Sequence, residues 1–103
     1  MTAYRRNADT RTVRFEHWDG APATPTDARV TLADPRGAIV VDQAMPTAVS
    51  PVTAGGPTHS FTWTPGQSAR LGSWTETWTA TIDNEAASTT GTFTVSDAKA
   101  ICP

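Results

Sequence analysis

Cysteine is almost missing from this chain: Cys102 stands alone, which excludes an internal disulfide and leaves one thiol, too few for a metal site. A fold held by its core without bridges suits a reducing compartment. Lysine is equally scarce, with Lys99 set against seven Arg. Coding bias produces such a ratio, and an assembly interface built on planar, bidentate guanidinium contacts also accommodates it. Long apolar runs are absent, since no stretch approaches the roughly 18 residues that span a bilayer. The opening Met1-Thr2-Ala3-Tyr4-Arg5-Arg6-Asn7 has no apolar segment of the signal-peptide kind. The expectation is a soluble chain that does not follow the general export route. Net charge is small, −2 from eight basic and ten acidic residues, so nothing draws the whole molecule to nucleic acid or to an anionic membrane. Phosphate-binding Gly-rich loops, nucleophile elbows and supported Ser/His/Asp clusters are also missing, and neither an enzyme nor a cofactor is expected.

What the chain has in quantity is threonine, nineteen of 103 residues. Thr is β-branched and favours strands, so the modest apolar content of 38% points to strands with a wet face rather than to disorder. At this length a single domain buries roughly two-thirds of its unfolded surface, and a true core is expected. The stretch from Thr58 to Ile82 organises it. His59, Phe61 and Trp63 alternate with Ser60, Thr62 and Thr64, and after Pro65-Gly66 and Leu71-Gly72 the residues Trp74, Trp78, Ala80 and Ile82 alternate with Thr75, Thr77, Thr79 and Thr81. A period of two means strands with one apolar and one hydroxyl face.

Residues 1–12, with Arg5, Arg6 and Arg11 and little that is large beyond Tyr4, show no burial pattern and read as an extended N-terminal arm. Val13, Phe15 and His17 alternate with Arg14 and Glu16 as a first strand closed by Asp19-Gly20. The Pro-containing loop 21–26 crosses between sheets. Ala28, Val30 and Leu32 form a strand, Asp34-Pro35-Arg36-Gly37 a type I turn, and Ile39 to Asp42 the return strand. Val49 and Val52 suit a short edge strand, because Pro46, Pro51 and Pro57 deny them a central place. Asp83-Asn84-Glu85 is a turn, Ser88 to Val95 a last strand with Phe93 and Val95 facing in, and 97–103 a tail. About seven short strands in 13–96 imply an all-β, two-sheet sandwich of immunoglobulin type.

The candidate chemistry is sparse. A row of exposed Trp would stack sugars or bases, but Trp63 and Trp78 have apolar neighbours in phase and are expected in the core. Trp18 lies out of phase with Val13, Phe15 and His17 and is the expected exposed aromatic. Glu76 falls in the inward phase between Trp74 and Trp78; a general acid would need a second carboxylate, and an inward charge guarding a sheet edge is the simpler reading. His17 and His59 lack partners at ligand spacing, and Asp34, Asp83, Asn84, Glu85 and Asp97 read as turn formers rather than Ca²⁺ ligands. No metal is expected. Arg5, Arg6, Arg11 and Arg14 make the N-terminus the basic region of an acidic chain, suited to an acidic subunit surface and too few for nucleic acid.

Phe61-Thr62-Trp63-Thr64-Pro65 and the run from Gly72 to Thr81 look like the later strands of bacterial and phage immunoglobulin-like modules. With Val30 to Gly37 upstream and Gly91-Thr92-Phe93-Thr94-Val95 at the end, residues from about Thr12 to Val95 resemble the small single-domain virion proteins of tailed phages of high-GC hosts. The chain departs from such modules at Glu76, where an aliphatic residue is usual. The resemblance implies an accessory structural protein, placed in the virion after assembly in the host cytoplasm, on the capsid surface or at the head-tail junction. Its partners would be capsid or connector subunits and further copies of the chain, engaged by arm exchange and strand addition through Tyr4, Arg5, Arg6, Arg11 and Trp18. The alternative is a carbohydrate-binding or adhesive module that takes a glycan on exposed Trp.

Overall fold

The computed structural model describes residues 2–17, 19–23, 25–48 and 58–97. These form strands β1 (Thr2–Tyr4), β2 (Asp9–Arg14), β3 (Thr26–Ala33), β4 (Ile39–Ala44), β5 (Thr47–Ala48), β6 (Thr58–Trp63), β7 (Gly72–Ile82) and β8 (Glu85–Ser96), with no helix among the described residues. One sheet has the order β1-β8-β7-β3-β4 and the other β2-β6-β5. All neighbours are antiparallel except β1, which runs parallel to β8. The expected all-β, two-layer build is present, seven strands of three residues or more with the two-residue β5 added.

The alternation read along 58–82 sets the core. Trp74, Trp78 and Ala80 of β7 turn inward beside Phe93 and Val95 of β8 and Val30 and Leu32 of β3, and all are buried. Trp63 reaches them from the opposite sheet, its ring 5.3 Å from Trp74 and 6.0 Å from Phe93. The opposite phase of β7 and β8 is hydroxyl: Thr75 faces Thr92, Thr77 faces Thr90 and Thr79 faces Ser88.

Turn chemistry also follows the residues. In the β3–β4 hairpin the Gly37 N–H donates to the Asp34 carbonyl over 2.9 Å, and Oδ1 of Asp34 accepts from the Arg36 and Ala38 amides. Gly37 has φ +84, a left-handed conformation that lacks the Cβ clash of other residues. The β7–β8 hairpin closes through Asp83 and Asn84, both at positive φ, the primed form whose twist matches its strands. The loop after β2 crosses from the three-stranded to the five-stranded sheet, as expected of residues 21–26.

Three readings need correction. Residues 1–12 are not a free arm: Thr2–Tyr4 pairs with Thr94–Ser96, and Asp9–Arg14 pairs with β6. The pattern was hidden because the inward residues Asp9 and Arg11 are charged and meet partners inside the sandwich. The first strand after β1 therefore ends at Arg14 rather than starting at Val13; Phe15 stays buried, while the His17 N–H bonds the Ala21 carbonyl in a turn. Glu76 guards no edge, since β7 lies between β3 and β8. Val49 and Val52 lie outside the described residues, and the edge beside β6 is β5.

Candidate partner interface

Five side chains were expected to meet a partner, and the fold separates Arg11 from Tyr4, Arg5 and Arg6. Tyr4 is half-buried in β1, opposite Ser96. Arg5 follows at the end of the sandwich, where its Nε donates to the Ala69 carbonyl over 2.7 Å and its Nη1 donates to Asp97 Oδ1 over 2.9 Å. Arg6 is exposed at φ +66, with its backbone N–H on the Pro65 carbonyl. Arg11 is 4% exposed and belongs to the interior. Trp18 lies outside the described residues.

Arg11 anchors a polar cluster between the sheets. Its Nε lies 3.1 Å from Asp9 Oδ2 and its Nη1 3.4 Å from Glu76 Oε2. Trp63 Nε1 donates to Asp9 Oδ2 and Trp78 Nε1 to Glu76 Oε1, both over 3.1 Å. The two carboxylates thus accept hydrogen bonds from two indoles and ion-pair with one guanidinium, which is what buried charge needs in order to persist. The cluster joins β2 and β6 to β7, and its role is to tie the layers together.

Arg5 contributes elsewhere. It shares a surface cleft with Pro35, Arg36, Ser68, Arg70 and Leu71. Arg70 Nε is 3.4 Å from the buried Asp34, and Arg36 makes no ion pair among the described residues. Next to it a second cleft, of about 460 Å³, runs over Val40, Val41, Ala69 and the edges of Trp63 and Trp74. Val40 remains 55% exposed at its rim, and Ile39, the residue before it, is 59% exposed. Guanidinium groups beside exposed aliphatic side chains suit an acidic, partly apolar protein surface, since Arg offers bidentate bonds to carboxylates.

Sequence reasoning found Arg5 and Arg6 but missed Arg36, Arg70, Ile39 and Val40. A usable signal was present in the β3–β4 hairpin, where Ile39 and Val40 are consecutive apolar residues and so cannot both face inward on one strand. His59 is buried edge-on to Phe15 at 5.8 Å, and His17 Nδ1 lies 3.3 Å from Asp83 Oδ2. Among the described residues no three His, Cys, Asp or Glu side chains gather in a metal-binding group. No family model matches the sequence, and neither a curated protein nor a solved structure matches it.

Proposed function

We propose that the chain is an immunoglobulin-like module serving as an accessory structural protein of a phage virion, docked on capsid or head-tail connector subunits. Strand order supports the first half of this reading. β1 to β8 correspond in order to strands A′, B, C, C′, D, E, F and G of an immunoglobulin-like domain, with A′GFCC′ in one sheet and BED in the other. The observation that carries the second half is the joined pair of clefts at one end of the sandwich. There Arg5, just after β1, meets Arg36 of the β3–β4 hairpin and Arg70, and the edge strand β4 presents Val40 to the second cleft. Docking then proceeds through a fixed surface: β1 belongs to the sheet, so the N-terminus positions cations rather than exchanging as an arm.

The carbohydrate reading draws no support from the described rings, because Trp63, Trp74 and Trp78 are buried at 9% exposure or less. The test is protein mass spectrometry on purified particles of the phage that encodes the chain. A fixed copy number per particle is expected, falling when Arg36→Glu and Val40→Glu are introduced together. Its absence from particles that are otherwise complete overturns the reading.

A further inference from the structure

The five-stranded sheet nominally ends on β1, yet for most of its length it ends on β8. β1 covers Thr94 to Ser96, so the outer edge of β8 from Glu85 to Phe93 has no ladder partner among the described residues. An open edge presents N–H and C=O groups ready to pair, and folded proteins blunt such edges with Lys, Pro, bulges or brevity. The other edges carry these devices. β4 shifts register twice against β3 and holds Gln43 at φ +49. β5 has two residues and β1 three, while β2 bears Asp9, Arg11 and Arg14. The β8 run Glu-Ala-Ala-Ser-Thr-Thr-Gly-Thr has no Pro and no Lys, one terminal charge, and no left-handed residue.

We propose that this edge pairs with the same edge of a second copy of the chain, antiparallel about a two-fold axis at Ser88. The pairing depends on the strand edge and not on a phage role. Charge selects the occupant. With a single carboxylate at one end, the strand itself carries nothing that selects a charged strand, whereas its unpaired backbone groups complement themselves and the two Ser88 hydroxyls meet at the axis. The axis at Ser88 sets Glu85 opposite Gly91 and Ala86 opposite Thr90, so the two Glu85 carboxylates stand about 20 Å apart along the ladder. Apart from Glu85, the side chains facing across the ladder are small. A seven-residue ladder of roughly 23 Å results, and because the contact is isologous it closes at two copies and uses up the edge in both. Just inside the edge, Val13, Phe15, Ile82 and Ala87 line a cleft together with the ion-paired Arg14 and Glu16, and the joined sheets would shelter it.

The test is sedimentation equilibrium of the full chain over a concentration series, with amide hydrogen exchange on residues 85–92. A concentration-dependent dimer is expected, with slowed exchange along that run. Ser88→Lys places two ammonium groups across the axis and is expected to halve the mass and restore fast exchange while the thermal melt persists. Thr90→Lys tests the same edge a second time, so a folding defect in one variant does not blunt the experiment. Asp42→Lys, on β4 at the opposite edge of the sheet, leaves the dimer intact. A monomer at every concentration up to about 1 mM, a dimer indifferent to both β8 variants, or one lost with Asp42→Lys overturns the proposal.

Discussion

The guanidinium carbon of Arg11 stands 4.5 Å from the centre of the Phe93 ring, a cation placed over an aromatic face from the opposite sheet. With Asp9 and Glu76 on either side, Arg11 is a polar rivet through an otherwise apolar interior. Removing it leaves two carboxylates facing one another without their cation. Arg11→Met is expected to cost about 3 kcal/mol and to lower Tm by ~15 °C, by the usual cost of breaking a buried pair in a domain this size. Urea unfolding followed by Trp fluorescence measures it, and an unchanged midpoint would return Arg11 to the surface.

The Asp34 carboxylate caps its own turn by accepting from the Arg36 and Ala38 amides while it lies 8% exposed. Asp34→Ala is expected to destabilise the fold by about 2 kcal/mol, since two amides lose a charged acceptor. It also frees Arg70. Particle binding should weaken further than the stability loss alone accounts for, which a titration at a temperature well below the melt separates.

At the tip of the β7–β8 hairpin, Asn84 sits at φ +64. Asn84→Gly keeps that conformation and is expected to leave stability unchanged or slightly raised, whereas Asn84→Val forces a β-branched side chain into it at about 1–2 kcal/mol. Paired thermal melts of the two variants read the difference. Equal melts would mean that the turn does not hold this conformation in solution.

Burial of Trp63, Trp74 and Trp78 makes an optical prediction. In a Trp18→Phe variant, acrylamide should quench little of the remaining emission, and addition of neutral oligosaccharides should leave the spectrum unmoved. Strong quenching of that variant would reopen the glycan reading.

The strands legible in the sequence were those with a clean period of two. β6 and β7 announced themselves through Trp and Thr, and the β3–β4 turn through Asp34-Pro35-Arg36-Gly37. β2 did not, because Asp9 and Arg11 occupy the same inward parity as Val13 and Phe15 and disguise a buried face as a charged one. Glu76 breaks the pattern of β7 in the same way. Opposite charges at inward positions of two different strands are a pairing signal, visible once both strands are drawn but not from either alone. β1 was beyond reach for another reason: three residues carry too little periodicity, and its place depends on a partner 92 positions away. The clefts at the end of the sandwich are assembled from three separate loops and strands, and no local pattern encodes such a meeting.

That distant pairing bears on how the molecule is made. Thr2 meets Thr94, so the first strand of this domain to be synthesised is completed by its last. At ordinary synthesis rates the interval is roughly 5 to 20 s, long compared with the formation of a hairpin. Through that interval the nascent chain can close β3 on β4 and dock β6 on β2, but its opening residues have no seat. Placing β8 therefore seats β1 as well, and the five-stranded sheet is complete only once β8 has emerged.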